Sequence, residues 1–287
     1  MPALLLAALT MTAAVHAGPP APALGEPGIE TAFRRMYELR FDDARAEIDS
    51  YRKSHPADPL AAAAEAASYL FEQFNKERIL TSAFFLDDER FLGGIEGKPD
   101  AALSKAFLAA NEDARSLALE RMKSSPEDPD ALFVLTLADG MEGDFEALIG
   151  KHQLAALSLI RAAEKKAKRL LAVRADAHDV YVALGAANYI IGSLPAYKRF
   201  LLWFGAMHGD RQHGMDQLQV AADKGHYLRP FAMALLALAA EREGQFDLAF
   251  TLFGDLSREF PANAVFSSEL ALAQDRARPS LRSLGSR

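Results

Sequence analysis

The chain has 287 residues, half of them hydrophobic and a quarter charged, which supplies a sizeable core and excludes disorder of the whole chain. Ala and Leu number 55 and 40 against 21 for Val, Ile and Thr together, which excludes an all-β fold because β-branched side chains suit sheets and Ala and Leu suit helices. A formal charge of −7 argues against a nucleic-acid partner, since phosphate neutralisation needs a basic surface.

Residues 1–17, MPALLLAALTMTAAVHA, contain no Asp, Glu, Lys or Arg and carry an apolar run over 3–14. That run is shorter than the about 20 apolar residues of a membrane span, and it ends in Val15-His16-Ala17, small residues where a signal peptidase needs them. The segment reads as a signal peptide cleaved near Ala17, with export to the periplasm or the exterior. A start codon upstream would supply its missing basic residue. Residues 18–28 follow as a stiff Pro-rich linker. Cysteine is absent, so an exported chain would hold neither disulfides nor a Cys-linked lipid. The longest later apolar stretch, residues 231–240, is too short for a span, and no transmembrane segment is expected in the mature chain.

One pattern recurs between residues 29 and 275. FDDARAEIDSYRKSHPADP sets Phe41, Ala44, Ile48, Tyr51 and Pro56 in a frame that returns as Phe246, Ala249, Phe253, Leu256 and Pro261. A looser copy has Asp113, Ala114, Ala118 and Pro126, and a fourth runs from Ala163 through Ala167 and Leu170 to Ala175-Asp176. The Ala-to-Pro distance is twelve residues in the first three. Physically, a small Ala admits close helix approach, the larger apolar residues follow on the same face, and Pro stops the helix. From Phe145 a helical rhythm continues through Ile149, Ala156, Ile160, Ala163 and Leu170, predicting one helix of seven turns. Lys165, Lys166, Lys168 and Arg169 cluster at its carboxyl end, where cations suit the helix dipole.

These frames resemble the tetratricopeptide (TPR) repeat, a helix-turn-helix of about 34 residues. The resemblance implies an all-α, right-handed α-solenoid of antiparallel helix pairs, about 12–14 helices in one domain over 29–275. Residues 276–287, with four Arg and Pro279, are expected to form a disordered basic tail.

Residues 180–230 depart from the plain repeat. Leu184-Gly185, Asn188-Tyr189, Ser193-Leu194-Pro195, an aromatic run over 197–204, Gly209-Asp210-Arg211 and Gly214 follow in order. That order, over residues 145–265, is similar to a eukaryotic TPR family associated with mitochondria and inclusion-body clearance. It implies a shared scaffold and brings no catalytic residue with it. Because aromatic and Arg side chains dominate binding hot spots, Asn188, Tyr189, Tyr197, Arg199, Trp203, Asp210 and Arg211 are the candidate partner-binding residues. Asp210 suits the cap of a following helix, with Arg211 bridging to a carboxylate in its first turn.

Motifs for chemistry fail on spacing. Gly93-Gly94-Ile95-Glu96-Gly97-Lys98-Pro99 has one residue too few between glycines and Pro where a phosphate loop needs Ser or Thr. His208 and His213 lack a third ligand nearby, Asp87-Asp88-Glu89 lacks calcium-loop spacing, and no G-x-S-x-G elbow occurs. Arg34, Arg35, Asn188 and Glu241, on the expected inner helices, are too few for a peptide-carboxylate clamp. The expectation is a non-catalytic protein-binding scaffold without cofactor or metal, its partner a folded protein or an apolar segment. The alternative is a peripheral membrane protein docking through residues 195–204, where Tyr197, Phe200, Trp203 and Phe204 accompany Lys198 and Arg199.

Overall fold

The computed structural model describes residues 27–194 and 209–284. Among the described residues there are thirteen α-helices and no strand. They are α1 (Pro27–Tyr37), α2 (Phe41–Ser54), α3 (Pro59–Lys76), α4 (Ser82–Phe85), α5 (Asp88–Gly93), α6 (Ala101–Ser124) and α7 (Pro129–Phe145). After them come α8 (Gln153–Val173), α9 (Tyr181–Ser193), α10 (Arg211–Lys224), α11 (Arg229–Arg242), α12 (Phe246–Glu259) and α13 (Ala264–Leu284).

The four sequence frames produce one turn four times. The helix-ending amides of His55, Ser125, Arg174 and Phe260 donate to the carbonyls of Tyr51, Arg121, Leu170 and Leu256. Three residues further on, Asp58, Asp128, Ala177 and Asn263 donate back to those same four positions, His55, Ser125, Arg174 and Phe260. The next helix is then capped: Asp58 accepts from Leu60 N–H, Asp128 from Ala131 N–H, and Asn263 from Val265 and Phe266 N–H. Pro59 and Pro129 sit in the first turn, where a missing N–H costs nothing. The small residues of the frames, Ala44, Ala114 and Ala249, have no exposed surface, and Ala163 retains 2%.

Each helix from α6 to α13 packs on its neighbour in sequence, as α1 does on α2 and α2 on α3, while α3 packs on α6. Early and late elements of the described chain also meet. Tyr37 on α1 donates its hydroxyl to the Tyr227 carbonyl at 2.8 Å, and Asn263 donates to the Tyr37 carbonyl at 2.8 Å. The Glu269 carboxylate on α13 accepts the Ser82 amide at 3.0 Å. Helix α11, which carries the apolar run over 231–240, is buried on nearly every side, as a helix apolar all round must be.

Two boundaries differ from the expectation. The seven-turn helix from Phe145 is broken: α7 ends there, a π-helical turn spans Glu146–Gly150, and Lys151 takes a left-handed φ of 60° before α8 begins. The apolar rhythm continues across this break because Phe145 and Ile149 before it and Ala156, Ala163, Ala167 and Leu170 after it are all buried. At the carboxyl end, α13 runs to Leu284, so helix replaces tail as far as that residue. Arg276 has a reason to be ordered, since it pairs at 2.6 Å with the buried Glu241. Helix α1 likewise begins at Pro27, just inside the expected linker. The basic cluster on α8 is largely spent on ion pairs: Lys166 with Asp139, Lys168 with Glu164, and Arg169 with Glu127. No helix among the described residues is long and apolar enough to cross a membrane.

Candidate functional site

Of the candidate residues, four fall in described parts of the chain and gather where α9 meets α10. Asn188 donates to the Leu184 carbonyl at 3.1 Å and to Gln217 Oε1 at 2.8 Å. Tyr189 is 2% exposed, and its hydroxyl donates to Glu243 Oε1 at 3.0 Å. Burial and the adjacent Glu243 carboxylate push the Tyr189 hydroxyl well above the ordinary tyrosine range. Asp210 caps α10 by accepting the His213 amide at 2.8 Å. Arg211 is half exposed and reaches Glu243 at 3.1 Å, so its carboxylate comes from the end of α11 rather than from the first turn of its own helix. Tyr197, Arg199 and Trp203 lie outside the described residues, as does the whole of segment 195–204.

The glycines of this region bring the two helices together. A Cβ on Gly185 would stand 2.8 Å from the Gly214 carbonyl oxygen, one on Gly214 2.5 Å from the Tyr189 nitrogen, and one on Gly209 2.3 Å from the Gly192 nitrogen. Leu-Gly and Gly-Asp-Arg-x-x-Gly therefore encode a backbone-to-backbone crossing of α9 and α10. The Gly93–Pro99 stretch is a turn, in which Gly94 and Gly97 take φ of 85° and 100° and the Ile95 amide donates to the Leu148 carbonyl at 2.8 Å. Asp87 caps α5, and Asp88 pairs with Arg242. Arg34 and Arg35 both pair with Glu38.

A second site lies inside the helical array. Helices α1, α3, α7, α8, α9 and α11, with the turn over 178–180, surround an apolar chamber. Its atom-free space, open mouth and adjoining solvent included, is about 860 Å³. Phe33, Phe71, Phe74 and Phe231 contribute aromatic wall, and Leu70, Met141 and Ile160 aliphatic wall. Gly143 lets α7 approach α8: a Cβ there would be 3.3 Å from Ile160 Cγ1.

Two carboxylates reach this wall, and they differ. Asp179 is 4% exposed and takes three backbone N–H bonds, from His226 at 2.8 Å, Tyr227 at 3.1 Å and Leu228 at 3.0 Å. Burial pushes its pKa up and those three donors pull it back. The Asp144 carboxylate, in the last turn of α7, has no hydrogen bond or ion pair among the described residues. It is partly buried and stands among apolar residues on the chamber wall. Burial alone pushes its carboxyl up to about 7. The π-helical turn begins two residues later, a feature frequent at functional sites.

Sequence reasoning did not select Asp144, although a signal exists. Leu137, Gly140, Met141 and Asp144 follow the i, i+3, i+4, i+7 rhythm, which puts an acid on an otherwise apolar helix face. Among the described residues, no three His, Asp or Glu side chains gather so as to hold a metal. No protein-family model matches the chain, and neither curated proteins nor solved structures match it at significant similarity.

Proposed function

We propose that this is an exported, non-catalytic binding scaffold of the TPR-like type, a right-handed solenoid of antiparallel helix pairs that presents a protein partner with the shoulder formed by α9 and α10. The observation that carries the reading is the fourfold turn. Four sequence frames with a buried Ala end in the same pair of backbone hydrogen bonds, as repeated units of one scaffold would. The shoulder supports the choice of surface, because Asp210 and Arg211 remain exposed there while glycine contacts hold the backbone beneath them. Residues fixed by close backbone packing present side chains without an ordering cost on binding.

The test is site-specific photocrosslinking in cells producing the full chain. A crosslinker replacing Arg211 should give a discrete adduct, and one replacing Lys123, exposed on α6, should not. Equal adducts at both positions, or none at Arg211, would remove the shoulder as the recognition surface.

A further inference from the structure

We infer that the chamber beside Asp144 is a binding site for a small organic ammonium ion with an apolar body. The site is separate from the α9–α10 shoulder and does not depend on the scaffold reading.

Three observations converge. The first is shape: six helices surround a pocket in which nearly every wall residue is apolar. An apolar pocket selects an apolar body. The second is charge. Asp144 is the one acid on the wall without a partner, and the described elements offer it no cation. The described wall residues from α1, α3, α8, α9 and α11 are uncharged, Thr136 on its own helix hydrogen-bonds to the Leu132 carbonyl, and Asp179 is held by its three amides. A carboxylate in such surroundings is stabilised by an incoming positive charge, which removes its desolvation penalty and gives it a hydrogen-bond donor. The third is the aromatic share of the wall, Phe33, Phe71, Phe74 and Phe231, whose rings attract a cation by their quadrupoles. An anion would meet Asp144 with like charge, and a neutral alcohol would offer only a weak donor.

Proton linkage gives the site a pH dependence. An alkylammonium keeps its charge throughout the neutral range, whereas the free-state Asp144 carboxyl titrates at about 7. Affinity should therefore rise about fivefold between about pH 6 and about pH 8, the protonated site still taking the amine as it takes an alcohol. By reciprocity, bound ammonium lowers the Asp144 pKa.

The experiment is calorimetric titration of the full mature chain with n-hexylamine and, separately, with 1-hexanol. Hexylammonium should bind about tenfold more tightly than hexanol at about pH 8, the increment of one charge-assisted hydrogen bond. Asp144→Asn, isosteric and uncharged, should bring the amine down to the alcohol's affinity and abolish its pH dependence. Gly140→Leu should weaken both ligands, since a Cβ there has room, 4.0 Å from Ala183, and the rest of the side chain extends into the chamber. In the parent, the Asp144 carboxyl 13C resonance should titrate at lower pH once hexylamine is bound. Hexanol binding as tightly as the amine, an amine preference that survives Asp144→Asn, or no binding of either probe would each overturn the inference. None of these outcomes bears on crosslinking at Arg211, so the two proposals fail separately.

Discussion

Replacing Asp144 by Asn should stabilise the protein, by an amount that grows with pH. The carboxyl ordinarily has a pKa of 3.8 and in the folded chain is raised to about 7 by burial. The folded state thus holds this proton after the unfolded chain has released it, and stability falls as pH rises from about 4 to about 7. At about 1.4 kcal/mol per pKa unit the full penalty is about 4 kcal/mol, of which about 2–3 kcal/mol develops between about pH 5 and about pH 8. For a chain of this size that is about 4–5 °C in Tm. Asp179 and Glu241 are also pushed up by burial, but they are common to parent and variant and cancel in the difference. Thermal melts of both proteins at half-unit pH intervals give the measurement. A Tm difference that is flat across this range would show Asp144 to be hydrated in the free protein and would refute the burial argument.

Asp179→Ala should cost on the order of 2–4 kcal/mol in urea denaturation, because the buried amides of Tyr227 and Leu228 lose their acceptor; an unchanged midpoint would deny Asp179 that role. Gly214→Ala places a Cβ 2.5 Å from the Tyr189 nitrogen and should lower stability by on the order of 1–3 kcal/mol, with a melt equal to the parent's counting against the close crossing. Ala249→Leu, at a position with no exposed surface, should cost on the order of 1–3 kcal/mol by overpacking, and coincident melts would displace Ala249 from the helix contact. Residues 1–40, given an upstream Lys, should export a reporter active only in the periplasm; a cytoplasmic reporter would end the export proposal.

Local signals were legible in the sequence and distant partners were not. Helix content followed from Ala and Leu outnumbering the β-branched residues. The frames at Ala44, Ala114, Ala163 and Ala249 located the repeated turns, because each turn is closed by bonds within seven residues of chain. Arg276 read as tail because the sequence does not show that Glu241, 35 residues earlier, lies beside it. Gly185 and Gly214 stood out only as departures from the repeat for the same reason: their contact joins two helices across a segment that interrupts it. The break at Lys151 was hidden by a rhythm that both flanking helices obey.

The pair of aspartates on the chamber wall shows the same limit and gives it functional weight. Both are single acids among apolar neighbours, and composition does not separate them. Asp179 stands opposite residues 226–228, whose amides precede α11 and have no helical acceptor, so its carboxylate works as a cap supplied from another element. Its place in the core follows from structure alone. Among the described residues the Asp144 carboxylate has no such amide, no cation and no second carboxylate to share a proton. Met or Leu at that position would bury apolar surface where the acid carries a desolvation penalty. An acid that weakens the fold and holds none of it together is accounted for by what enters the chamber, and a cation is the visitor whose charge removes the penalty.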